Sequence, residues 1–504
     1  MTGAAKHALT GRLTGAVAQV LAEEVLEPQF RYEVTHLLPW YVCVEKVLLA
    51  EYRRMELLSP VETGAIAEAL DAAAALVPDR AENLADISFA LERFVEARLP
   101  APARAWHVDR SRNDLQATAQ LLAARAWIRE LAGSLLDCAE AAHRVAGDCV
   151  ELVMPGYTHG QPAQVISPAF FLSALTEQLL TGVIRLARCH DGARSPLGAG
   201  AMAGQELPWE RERMAALLGF PAAERHALVA VASRGWMLDL AAECSNLGTG
   251  LSRFVTDLMT WSSGALRLAD LPDELAGISS AMPQKKNFPV LERIRGRLAH
   301  LTSGYLDLVL TQRGTSFSNT VEGAKEGGSR LLPLCTDLRS ALVLLTTVLN
   351  GLSFDTGRMR DACASEYLGG FSLATSLTLH AGVPWRTAQV LAGRYISAVL
   401  AQGRAPSEYA EEVLCAVAES AGYRVPDAGE LLRAAFDVDR ELRRRASPGG
   451  TAPDAVRTLL RAQAGELAEQ RTGWAERAER QESVARRVDR LLAEDDTPRA
   501  GQVR

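Results

Sequence analysis

Apolar residues recur along most of this chain at spacings of three and four, the period of an α-helix with one buried face. Leu298, Leu301, Tyr305 and Leu308 form one such stripe, and Leu334, Leu338, Leu342, Leu345 and Leu349 form a longer one. A third stretch, from Ala117 to Val153, follows the polar run Arg110–Asp114. Stripes of this length predict long helices packed against one another in a bundle. The period-two alternation of strands is missing, which argues against an α/β fold. The expected class is all-α.

Breaks in the pattern divide the chain into three expected domains. Pro100, Pro102 and Ala103 end an N-terminal helical domain, 1–104. A central long-helix domain, 105–355, ends at Gly351-Leu352-Ser353-Phe354-Asp355, with Gly351 expected just past a helix end and Asp355 as the cap of the next helix. Ser167-Pro168 reads as an N-cap and first helical residue. The C-terminal helical domain, 356–504, is broken at Ser447-Pro448-Gly449-Gly450. It ends in a charged, heptad-like segment from Ala464 to Asp495, expected to be a solvated or interface helix.

Composition narrows the class. Hydrophobic residues make up 48% and charged residues 23% of 504, ordinary for a globular protein, and aromatics are sparse at 6%. A net charge of −7 leaves no basic footprint for nucleic acid. The stretch Met1–Leu13 lacks the apolar run of a signal peptide, and no uninterrupted apolar run is long enough to span a membrane. The eight cysteines, Cys43, Cys138, Cys149, Cys189, Cys244, Cys335, Cys363 and Cys415, contain no C-x-x-C pair and read as buried thiols of a reducing, cytoplasmic compartment.

Chemistry is expected where polar residues, Gly and Pro interrupt the helical pattern. Four such islands stand out: His107–Asp114, Met154–Gln161, Gly277–Asn287 and Thr315–Lys325. Of 54 basic residues only Lys6, Lys46, Lys285, Lys286 and Lys325 are lysines, and three of these fall in the third and fourth islands. A compact ammonium is not interchangeable with a guanidinium, so this usage suggests a chemical demand, with chance clustering as the bland alternative. Arg112, Lys285 and Lys325 with Asn113, Asn287 and Thr158 supply donors suited to carboxylates, and His159 is a candidate acid or base. Ser279 and Ser280 sit in a Gly- and Pro-flanked loop that can move. This set fits proton abstraction beside a carboxylate at least as well as nucleophilic hydrolysis. Gly198–Gly204 looks like a dinucleotide loop but has the wrong spacing and no preceding strand, and Cys189-His190 lacks a second zinc-ligand pair.

Together the islands resemble the argininosuccinate lyase family of the fumarase/aspartase superfamily. The family signature G-S-S-x-M-P-x-K-x-N is similar to Ile278–Asn287, and Arg110–Asp114 and Met154–His159 match two further family motifs. Softer matches are Pro196–Ala201, Gly382–Arg386 and Gly449–Pro453, so the resemblance covers most of the chain. It implies an all-α, three-domain subunit that forms a homotetramer with active sites shared between subunits. A small dicarboxylate would be the substrate, and no metal or organic cofactor is implied. Ser279 would take the proton beside a carboxylate, Lys285 and Asn287 would steady the resulting aci-carboxylate, His159 would serve the leaving group and Glu292 would orient His159. Ser111, Arg112, Asn113, Thr158, Ser280, Met282, Phe317, Glu322, Lys325 and Arg211 complete the expected substrate-binding set.

The chain departs from the family pattern in three places. Ile278 stands where Gly is expected, with Gly277 one earlier. Phe317 and Glu322 stand where argininosuccinate enzymes carry Tyr and Gln. His226–Arg234 is a poor match to the family's N-S-x-D-x-V-S-D-R-D. The amine side is altered while the fumarate side is intact. The expected activity is therefore elimination of an amine from an N-substituted aspartate, releasing fumarate, or the reverse addition. A cationic amine or diamine would suit Glu322, as in related lyases acting on ethylenediamine-disuccinate. Argininosuccinate cleavage proper, and a non-catalytic structural protein on the same scaffold, are the alternatives.

Overall fold

A computed structural model of the protein describes residues 17–75 and 87–493. Met1–Leu13 and Lys6 lie outside the described residues. The labelled helices are α1 (Leu38–Arg54), α2 (Arg112–Asp148), α3 (Pro168–Asp191), α4 (Gly235–Trp261), α5 (Pro289–Gln312), α6 (Gly327–Gly351) and α7 (Pro453–Ala493). Helices α2 to α6 pack side by side as the predicted bundle: α2 against α3 and α6, and α5 between α4 and α6. Leu298, Leu301, Leu308, Leu334, Leu338, Leu342, Leu345 and Leu349 all lie in its core, with Tyr305 half-buried beside them. Burying each leucine contributes about 1.5–3 kcal/mol, so the stripes are themselves a main source of cohesion. Helix α3 and the segment Glu322–Gly351 are apolar enough to cross a membrane by length and composition, yet both pack in this bundle.

Local signals act largely as expected. Ser167 Oγ accepts the Phe170 N–H at 3.1 Å with Pro168 next, and Asp355 caps the following helix through the Arg358 N–H at 3.0 Å. Gly351 differs: it is the last residue of α6, and a Cβ there would lie 2.9 Å from the Pro272 ring. Close packing, rather than a left-handed turn, accounts for this glycine. Five of the eight cysteines are buried, while Cys43, Cys189 and Cys415 are partly exposed.

The expected C-terminal domain contains two differently packed parts. Residues from Leu373 to Phe436 form a small helical core of their own. Helix α7 instead runs back along α2, α3 and α1, burying Val456, Leu460, Leu467, Trp474, Val488 and Leu492. Its charged sequence reflects a helix wet on one side only.

The expectation of no strands is corrected in one functional place. Met154–Thr158 (β1) and Gln161–Ile166 (β2) pair as an antiparallel hairpin. Pro155, Gly156 and Pro162 interrupt the alternation that would have revealed it. Ala269–Asp270 (β3) and Ser353–Phe354 (β4) form a second, minimal pair.

Candidate active site

The four islands are gathered as two pairs at opposite ends of the bundle. The first opens α2, and the third and fourth flank α5 at its start and finish. Gln120, near the start of α2, donates to the Ala324 carbonyl at 2.6 Å, which ties the first and fourth islands together. At the far end Arg144 of α2 reaches Asn350 of α6 at 2.5 Å, beside the loop holding the third island. Helix α5 has 24 residues, so the two ends are about 36 Å apart. The expected convergence of Arg112 and Asn113 with Lys285 and Asn287 on one dicarboxylate therefore does not occur within a single chain.

Most polar side chains of the first island, and Lys325 of the fourth, are held by the fold. Ser111 Oγ caps α2 by accepting the Asn113 N–H at 3.2 Å, Asn113 donates to the Ala201 carbonyl at 3.0 Å, and Arg112 lies over the Phe89 ring at 4.5 Å. The neighbouring Asp114 is buried and accepts N–H groups of Gly198 and Gly200 at 2.9 and 3.0 Å. Both glycines have positive φ, 84° and 64°, which lets their amides turn toward one carboxyl. The run that looks like a dinucleotide loop is thus a cradle for Asp114. Burial pushes that carboxyl up to about 7, against the pull of the Gly200, Gly198 and Leu115 amides. Arg211 backs the cradle, with Nε donating to the Leu197 carbonyl at 3.3 Å. Lys325 pairs with buried Glu33 at 3.3 Å. Phe317 is 63% exposed and Glu322 is exposed at the start of a wide turn, in which the Gly327 N–H donates to the Glu322 carbonyl.

His107 and Arg110 belong to a buried ionic cluster that sequence reasoning missed. His107 lies 3.1 Å from Glu45 and 3.2 Å from Glu92, and Arg110 is 3.2 Å from both acids. Burial works against the Glu45 carboxylate, but Arg110 and His107 outweigh it and hold Glu45 down to about 2. The same pairing raises the pKa of His107 against the opposing effect of burial. Glu45 at the middle of α1 was the available signal: an acid on an otherwise apolar helical face requires a partner.

At the other end the side chains are presented rather than held. His159 and Gly160 are the two turn residues of the β1–β2 hairpin, with φ of 55° and 73° and Thr158 paired to Gln161 across them. Positive φ at both positions matches the tight hairpin turn whose twist suits its strands. Thr158 and His159 are exposed at its tip. The third island is a loop closed at its neck, where Gly277 and Asn287 exchange backbone hydrogen bonds of 2.8 and 3.3 Å. A Cβ at 277 would lie 2.8 Å from Pro289, so glycine is needed there, while Ile278 stands 96% exposed. Lys286 pins the loop to Asp270 at 3.1 Å and Asp273 at 3.2 Å. Ser280, Met282 and Lys285 are exposed, Ser279 and Asn287 are half-buried, and Glu292 is exposed in the first turn of α5. Ser279 Oγ accepts the Met282 N–H at 3.1 Å, a donor that would stabilise negative charge on that oxygen. Among the described residues no hydrogen bond or ion pair joins His159 to Ser279, Lys285 or Glu292.

Known proteins share this architecture. A family model described as Lyase matches residues 61–301, taking in the first three islands and stopping short of the fourth. The chain is 34% identical to the argininosuccinate lyase of Thermus thermophilus over 415 residues, covering 80% of this chain and 87% of that protein. It is 32% identical to the argininosuccinate lyase of Aquifex aeolicus over 327 residues, 64% of this chain and 70% of that one. Among solved structures, a variant of EDDS lyase with bound fumarate superposes with a TM-score of 0.84 at 22% identity, over 97% of this chain and 99% of the other. A class II fumarase from Schistosoma mansoni gives 0.64 at 17% identity, over 81% and 91%. The fold is that of the fumarase/aspartase superfamily of lyases. Within it, the chain belongs to the argininosuccinate lyase family.

Proposed function

We propose that this protein is a carbon–nitrogen lyase that eliminates an amine from an N-substituted aspartate to release fumarate, or adds it in reverse. The observation that carries this is the third-island loop. One loop closed at its neck holds a serine oxygen 3.1 Å from a backbone N–H and also carries Lys285 and Asn287. Serine is a weak base, so proton abstraction requires donors that favour its alkoxide and a site that excludes water. In this scheme the Ser279 alkoxide removes the proton beside a carboxylate, and the Lys285 ammonium and the Asn287 amide N–H steady the charge that moves onto it. The C–N bond then breaks with its pair on nitrogen, and His159, oriented by Glu292, protonates the departing amine. Argininosuccinate is the second candidate substrate, favoured by the named relatives and disfavoured by Phe317 and Glu322. Free thiols throughout are consistent with a cytoplasmic setting.

The same geometry supports, as part of this proposal, a homotetramer with sites shared between subunits. Carboxylate donors at one end of a rod of about 36 Å, and base and acid at the other, meet only when copies lie alongside in opposite directions. Exposed Leu306 and Leu310 of α5 and Val343 of α6 offer apolar surface for that contact. The test of activity is reverse: fumarate with a panel of amines, following fumarate absorbance and adduct mass. Failure of every amine to add would exclude the C–N lyase assignment.

A further inference from the structure

The helix Ile87–Glu96 meets the first island through two side chains that the scheme above does not use. Phe89 and Glu92 are three residues apart and so share a face of that helix. Glu92 lies 3.2 Å from both His107 and Arg110. Phe89 lies beneath Arg112, whose guanidinium carbon is 4.5 Å from the ring centroid. The ring has a firm seat. Phe89 is half-buried, and Ile87, Ala90, Leu91 and Val95 of the same helix lie in the core that also holds α1.

Arg112 is a side chain that gains from such a seat. It is the first residue of α2, where the Ser111 cap and the bond from Asn113 to the Ala201 carbonyl fix the backbone. Neither fixes the exposed guanidinium, which stands at the end of a long stem with several rotatable bonds. An acid could orient it, but would take up the in-plane N–H groups that a substrate carboxylate needs and would offset its charge. An aromatic ring engages the face of the guanidinium instead, restricting its plane while the charge and the fork of donors keep their value for a carboxylate.

We propose that Phe89 is a positioning residue for Arg112, and that the ring beneath the guanidinium sets how tightly the dicarboxylate half of the substrate is held. This rests on the C–N lyase assignment, which gives Arg112 a carboxylate to hold. The helix grips the island at two points: Glu92 anchors it through Arg110 and His107, and Phe89 aims the arginine next along.

The test is succinate binding by calorimetry, with the whole protein and four variants. Phe89→Leu keeps an apolar side chain but removes the ring, and should weaken succinate by about fivefold with an unchanged melting temperature. Phe89→Met carries the same expectation and serves if the leucine variant does not fold. Phe89→Tyr keeps the ring and should bind as the wild type does. In an Arg112→Gln background, followed at higher succinate concentration, Phe89→Leu should cost nothing further, because the ring acts only through the arginine. In turnover the KM for fumarate should rise by the same factor as the binding loss, with kcat nearly unchanged. Wild-type affinity in Phe89→Leu and Phe89→Met, failure of Phe89→Tyr to bind normally, or an equal loss in the Arg112→Gln background would each overturn the proposal. These are binding measurements, so they decide the role of Phe89 even if no amine adds to fumarate, an outcome that would instead remove the lyase assignment.

Discussion

At the end of the bundle that carries the first and fourth islands, polar groups are engaged by the fold. Ser111 caps a helix, Asn113 and Lys325 have partners, Asp114 lies in its glycine cradle, and His107 and Arg110 share two acids. At the opposite end His159 tops a hairpin and Lys285 stands out on a loop, both exposed. In the proposed scheme the groups that hold substrate are those set in a framework that fixes their angles, and the groups that move protons are those on small supports that another surface can cover. On that scheme the difference is one between two halves of different sites, one half rigid and the other awaiting closure.

The comparison can be broken in order of expected effect. Ser279→Ala should lower fumarate release by about 10³-fold with an unchanged melting temperature, because its hydroxyl has no part in the core. A variant retaining roughly a tenth of wild-type rate would remove Ser279 as base. Mixing Ser279→Ala with an inactive Arg112→Met variant, denatured and renatured together, should restore activity at up to about a quarter of sites, from random assortment of copies. No recovery would mean that sites are not shared between ends. Lys285→Met should weaken succinate binding by about tenfold to a hundredfold in calorimetry, and equal affinity would take Lys285 out of the anion site. Phe317→Tyr with Glu322→Gln should raise argininosuccinate cleavage about tenfold relative to other amines. If the wild type already cleaves it efficiently and the double variant is no better, plain argininosuccinate lyase is the better assignment.

The smallest effect belongs to the rigid end. The folded pKa of His107 is raised by Glu45 and Glu92 against burial, so its contribution to stability is whole below about 6.5 and is lost as pH rises through the folded value. Asp114 acts with the same sign between about 3.9 and its folded value of about 7, since the buried carboxyl favours its proton. Melting temperature should decline through this range and beyond. His107→Gln should flatten the upper limb, and Asp114→Asn the lower.

Much of the architecture was legible because a helical stripe such as Leu334–Leu349 states its own burial. The hairpin at Met154–Ile166 was not, because Pro155, Gly156 and Pro162 remove the alternation by which strands are read. The segment Ala464–Asp495, most of which lies in α7, reads only as a solvated or interface helix because its charges outnumber its buried anchors, which are spaced too widely to dominate any short window. The islands were found as segments, yet their pairing by ends was hidden, since helix direction and neighbour order are properties of packing.

The wide turn at Glu322–Glu326 has an evolutionary consequence. Such a turn holds one more residue than a regular helix would at the same place. Deleting a single residue there would return the turn to regular helix with little change of phase on either side, so the core leucines of α6 and the segment before the turn keep their faces while the side chains within Glu322–Glu326 are re-aimed. In the proposed scheme the gain or loss of one codon at this turn re-aims Glu322 and Lys325 without disturbing the bundle, a route that comparison of aligned substitutions would overlook.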